Sequence, residues 1–146
     1  MDTSAGHRLG GAALVGGLVA AATLATWWAW LGWDTEYQVD PVTEVASGPY
    51  EAWQVVGCGL TLVLLAAGAS LWTHPWLVAA TLTLSFTLVW SVQAASSDDT
   101  GLWAVGALLL LVGLSTASTT VAYGAWLVRR LVHGGVDLGR VGAPSS

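Results

Sequence analysis

The chain has 146 residues, 55% of them apolar and 9% charged, and its mean hydropathy of +0.66 excludes an ordinary soluble domain. Nine acids against four arginines give a net charge of −5 with no basic patch for nucleic acid. The one cysteine, Cys58, lies in an apolar run; it excludes an intrachain disulfide or a multi-cysteine metal site and reads as a small core residue.

The hydropathy pattern predicts an all-α, polytopic membrane protein. It is a four-transmembrane-helix bundle with spans at about 9–33, 49–72, 75–95 and 101–128. Residues 1–132 form one transmembrane domain, and the glycine-rich stretch 133–146 reads as a disordered tail.

The first span is about 25 residues, roughly 38 Å as helix against a hydrocarbon core of about 30 Å. It is too long for a signal peptide and runs into Trp-Trp-Ala-Trp without a cleavage pattern. Ala13, Gly17, Ala21, Ala25 and Ala29 recur at every fourth position, widened by Gly16 and Ala20, and lay a ridge of small side chains on one face. Such a ridge permits close approach of a neighbouring helix, so this span is expected to be the most closely packed of the bundle, with Leu14, Leu18 and Leu24 off the ridge.

The loop after Trp33 is long and acidic, and its valines alternate too loosely to predict a strand. Gly48-Pro49-Tyr50-Glu51 reads as a helix start, with proline at the first helical position and a carboxylate at the positive helix end. The second span is expected to be interrupted by Gly57 and Gly59. Thr73-His74-Pro75 is a minimal connection, with Thr73 or His74 as cap, which makes spans two and three an antiparallel hairpin. Ser96 to Thr100 form a polar turn with several candidate caps, and Arg129-Arg130 stop the fourth span.

Arg8, Arg129, Arg130 and Arg140 flank the termini, whereas seven of the nine acids lie in the two other polar connections. By the positive-inside tendency both termini are cytoplasmic in a multi-pass cell-membrane protein.

Seven of the ten tryptophans fall at the outer ends of the spans. An interfacial belt explains the three at the inner ends, Trp72, Trp76 and Trp126, fully and the outer seven less well. Trp27, Trp28, Trp30 and Trp33 point around most of a helix circumference, however, so at least one must face the bundle or the loop. With Trp53 and Tyr50 they form a candidate cuff for a lipid head group, an isoprenoid or a partner helix; an oversized belt with loop packing is the blander reading. The outer carboxylates Asp34, Glu36, Asp40, Glu44, Glu51, Asp98 and Asp99 fail the EF-hand pattern and read as solvated loop charge, so no metal and no cofactor is expected. Thr81 with Ser85, Ser115 with Thr119 and Thr116 with Thr120 make hydroxyl-lined faces that either pack helices or line a polar path.

No ionisable residue lies in the middle of any span, which argues against ion-coupled transport, haem ligation at depth and a Ser-His-Asp site. The chain resembles short four-span membrane proteins only generically. The five spans of tryptophan-rich sensory proteins and the paired loop cysteines of claudin-like tetraspans are both missing. The expected function is a non-enzymatic accessory or scaffold subunit, with the bilayer and another membrane protein or a second copy as partners. The alternatives are a lipid or small-molecule carrier using the cuff, and a head-group enzyme using acids such as Asp34 and Glu51. No catalytic residue is assigned.

Overall fold

The computed structural model describes residues 3–33, 38–39, 46–47, 50–98 and 100–138. Its helices are α1 (Thr3–Trp27), α2 (Ala52–Ser70), α3 (Pro75–Ser97) and α4 (Trp103–Leu138), and a π-helical turn, Trp28–Gly32, continues α1. The stretches Gly10–Gly32, Ala52–Ser70, Pro75–Ser97 and Trp103–Val132 are each long and apolar enough to cross a membrane. The protein is an all-α four-helix membrane-spanning bundle.

Local chemistry sets the helix ends. Glu51 is the N-cap of α2 and makes a capping box with Gln54, whose Oε1 accepts the Glu51 N–H at 2.7 Å. The first helical residue is thus Ala52, not a proline; Pro49 lies outside the described residues. The glycines at 57 and 59 do not interrupt α2, because its backbone ladder needs no side chain there. Pro75 opens α3 as expected, with His74 as a backbone N-cap whose side chain makes no capping bond. Asp98 supplies the start of α4: one carboxylate oxygen accepts the Thr100 N–H and hydroxyl, the other the Trp103 N–H at 2.7 Å. Gly101, at φ +77°, makes the left-handed bend between them.

Two further expectations are corrected. Helix α4 runs past Arg129 and Arg130 to Leu138, since long arginine side chains are good helix formers, so the first part of the expected disordered tail is helical. In the long loop Gln38–Val39 pairs antiparallel with Ala46–Ser47, Gln38 opposite Ser47 and Val39 opposite Ala46. Loose valine spacing did not announce so short a ladder.

Helices α2 and α3 form the central hairpin. Each touches both α1 and α4, whereas α1 and α4 make no contact among the described residues and therefore lie on opposite sides. The α3–α4 contact is the most extensive. Helix α2 turns Gln54, Cys58, Leu62, Ala66 and Ser70 inward, one residue per turn, and α3 meets them with Val78, Leu82 and Phe86. Around this core many large apolar side chains, Leu14, Leu18, Leu64, Leu88 and Leu109 among them, are exposed, as lipid contact requires.

Helix α1 seats itself with the face opposite its small-residue ridge. Val15 packs against the core, and Val19, Thr23 and Thr26 are buried, while Ala13, Gly17, Ala21, Ala25 and Ala29 are all exposed. The two stripes are offset by two residues, or roughly 200° on a helix. The expectation that the ridge makes α1 the most closely packed helix of the bundle is thereby corrected. The bulkier stripe fills the groove between α2 and α3, and of the residues that widen the ridge Gly16 lies toward α3, a Cβ there lying 3.9 Å from the Thr81 hydroxyl.

Candidate functional site

Two ends of the bundle are chemically distinct. The loop end carries Trp30, Tyr50, Glu51, Trp53 and Asp98; the arginine end carries Trp72, His74, Trp76, Trp126, Arg129 and Arg130.

At the loop end the π-helical turn re-aims the last tryptophans of the first span, as an extra residue in a helical turn does. Trp30 turns inward. Its ring lies against the backbone of Gly57, its Nε1 donates to the Thr61 hydroxyl at 3.2 Å, and Thr61 donates to the Gly57 carbonyl at 2.8 Å. Trp53 meets Trp30 edge to face at 6.0 Å between centroids and donates its indole N–H to the Glu51 carboxylate. Trp27 and Tyr50 are half-buried against the core, and the Trp27 N–H is buried without a partner among the described residues. Trp28, Trp33 and Trp53 are exposed, and Trp33 bonds back to the Ala29 carbonyl at 3.0 Å.

The six cuff residues therefore divide. Trp30, Trp27 and Tyr50 close the end of the bundle, while Trp28, Trp33 and Trp53 face outward as a belt does. A second lock of the same kind joins α3 to α4, where a Cβ on Gly106 would lie 2.7 Å from the Trp90 ring. Small-residue positions facing tryptophans across the bundle were the signal that sequence reading missed.

The hydroxyl faces also separate. Thr81 and Ser85 are half-buried on α3. Ser115 and Thr119 line a groove of about 450 Å³ between α3 and α4, with Thr83, Trp76 and Tyr123. Thr116 and Thr120 are exposed and bond back to the carbonyls of Val112 and Thr116 at 2.9 and 2.8 Å, the local solution for a hydroxyl in lipid. The buried polar contact between α3 and α4 is made by Thr83 and Ser118, 3.1 Å apart. A cavity of about 210 Å³ near Ser118 is otherwise apolar, walled by Leu62, Ala66, Leu82 and Leu114.

Of the loop acids, Glu51 is engaged in the cap and by Trp53, and Asp98 caps α4. Asp34, Glu36, Asp40, Glu44 and Asp99 lie outside the described residues. Among the described residues no three His, Cys, Asp or Glu side chains cluster to hold a metal ion.

Compared with protein families, curated proteins and solved structures, the chain matches none. Its geometry must speak for it: packing contacts inside, and apolar faces, a small-residue ridge and an arginine pair outside.

Proposed function

We propose that this chain is a non-enzymatic accessory or scaffold subunit of a membrane assembly, and that α1 receives a transmembrane helix of another subunit along its small-residue ridge. The observation that supports this reading is the outward orientation of Ala13, Gly17, Ala21, Ala25 and Ala29. From first to last they are sixteen helical rises apart, roughly 24 Å, most of the hydrocarbon thickness of about 30 Å. Lipid tails give helices no hydrophobic reason to associate, so close backbone approach over small residues supplies the attraction. With both termini cytoplasmic by the arginine distribution, the acidic loop would face the other side.

The cuff supports a carrier less well, since half of its residues pack inward. An enzyme reading has only the position of Asp34 and Glu51 behind it.

The test uses the buried native Cys58 to advantage: Ala21→Cys places a new thiol on the ridge for cross-linking in native membranes. A cross-linked adduct of defined mass is expected. It should disappear when Gly17 is also changed to leucine, while Gly17→Leu alone leaves the thermal unfolding of the purified bundle unchanged. A homodimer adduct would make the partner a second copy; no adduct, or one indifferent to leucine at 17, would remove the proposal.

A further inference from the structure

The groove of about 450 Å³ between α3 and α4 takes no residue from α1, so it stands apart from the ridge that receives a partner helix. Its α3 wall is low. Ala79, Ala80 and Thr83 form it, with Trp76 at the end nearest the arginines and Leu84 at the other. The α4 wall carries a hydroxyl on each of three successive turns, at Ser115, Thr119 and Tyr123. Among the described residues no charged side chain lines the groove.

These three hydroxyls are unspent. Thr116 and Thr120, on the neighbouring face of α4, donate back to carbonyls of their own helix, and so does Ser118, which pairs with Thr83. Ser115, Thr119 and Tyr123 make no hydrogen bond among the described residues. Ser115 is half-buried and the other two are exposed, so an incoming molecule reaches all three. A hydroxyl without a partner in hydrocarbon is costly, and each has one proton to donate. The groove therefore offers a row of donors to an incoming acceptor.

Depth narrows what that acceptor is. Arg129 bonds the Leu71 carbonyl at the turn between α2 and α3 and so marks the polar end of the bundle. Thr119 and Ser115 lie roughly 15 and 21 Å from it along α4, against a hydrocarbon core of about 30 Å. The ester carbonyls of a phospholipid stay near the polar boundary and do not reach them.

We infer that this groove binds a neutral lipophile with carbonyl acceptors, a membrane-soluble quinone, its two oxygens on the hydroxyls of Ser115 and Thr119. A carbonyl takes a hydroxyl proton without bringing a donor of its own that would need a partner. A quinone holds two carbonyls on opposite sides of one ring, a separation close to the helical pitch of about 5.4 Å, the interval at which α4 presents its hydroxyls. Ala79 and Ala80 leave room for the ring, and the volume of the groove falls within the range of small-molecule sites, roughly 300–1,000 Å³. With no lining charge, a neutral ligand is favoured over an ion.

The experiment is native mass spectrometry of the full chain in mild detergent, titrated with decylbenzoquinone or with decylbenzene, which lacks the oxygens. The wild type is expected to retain decylbenzoquinone in preference to decylbenzene. Ser115→Ala and Thr119→Val should each lower that retention about threefold, the scale of a side-chain hydrogen bond in a membrane. Thr116→Val removes a hydroxyl already bonded outside the groove and should leave retention unchanged. Ala80→Leu fills the groove with every hydroxyl in place and should lower retention without lowering the unfolding temperature. Equal retention of the two probes, a loss with Thr116→Val as large as with Thr119→Val, or retention indifferent to leucine at 80 would overturn the inference. So would a wild-type dimer that Ala80→Leu dissociates, since the groove would then hold a second copy.

Discussion

The ring of Trp30 occupies the space that a side chain at Gly57 would take, and this contact helps join the π-helical turn after α1 to α2. The ring cannot simply swing aside, because Thr61 holds its nitrogen and Trp53 its edge.

Gly57→Ala should therefore cost about 1–3 kcal/mol, as overpacking of a filled site does. Two residues on, a Cβ on Gly59 would meet no heavy atom within 4 Å. Gly59→Ala should be neutral or stabilising by up to about 1 kcal/mol through helix propensity. Reversible unfolding in mixed micelles compares them; equal losses at the two sites would mean that the Trp30 contact is not the cause.

The Thr83–Ser118 pair makes a second prediction. Ser118 donates its hydroxyl hydrogen to the Leu114 carbonyl at 2.6 Å, which leaves Thr83 as donor across the 3.1 Å contact. A double-mutant cycle with Thr83→Val and Ser118→Ala should give a coupling of about 0.6 kcal/mol, the scale of interhelical hydrogen bonds in membranes. Zero coupling would mean that the contact contributes nothing to the α3–α4 packing.

These contacts explain what sequence could and could not disclose. Span number and the α2–α3 hairpin were legible because hydropathy and Thr73-His74-Pro75 are local signals. The buried fate of Cys58 was legible from its apolar surroundings, and it is 3% exposed. Which face of α1 turns inward was not, because in lipid both the alanine stripe and the Val15, Val19, Thr23 stripe are compatible with either side. Pairings such as Trp30 with Gly57, Trp90 with Gly106 and Thr83 with Ser118 depend on helix rotation and axial register, which no single span encodes. At least one of the four clustered tryptophans had to leave the lipid on circumference alone; that it is Trp30 follows from the inward stripe of Val19, Thr23 and Thr26, which Trp30 continues at helical spacing.

Glu51 provides a third prediction. Its carboxylate accepts the Gln54 N–H in the capping box and bonds the Trp53 indole. Glu51→Ala should cost about 0.5–2 kcal/mol of stability, and Glu51→Gln much less, because the amide oxygen still accepts at the cap. A loss from glutamine as large as that from alanine in thermal unfolding would show that charge rather than capping dominates.

Asp98 carries a pH dependence whose sign is fixed by its bonds. The Thr100 hydroxyl first, then the backbone N–H groups of Thr100 and Trp103, hold its carboxyl below the usual carboxylate range. The folded carboxyl thus releases its proton at lower pH than the unfolded one, whose ordinary value is about 3.9. Its stabilisation of the α4 start is complete above that value. It declines as pH falls below it, because the unfolded chain takes up the proton first, and is gone once pH has passed the folded value. Asp98→Asn removes the charge and replaces one accepting oxygen with an amide donor, so the variant should unfold at a lower temperature at neutral pH. The gap to wild type should hold down to about pH 5 and narrow toward zero below about pH 4. Acids common to both proteins cancel in this difference. A gap that stays constant through the acid range would mean that the ionised carboxylate contributes nothing to the α4 cap.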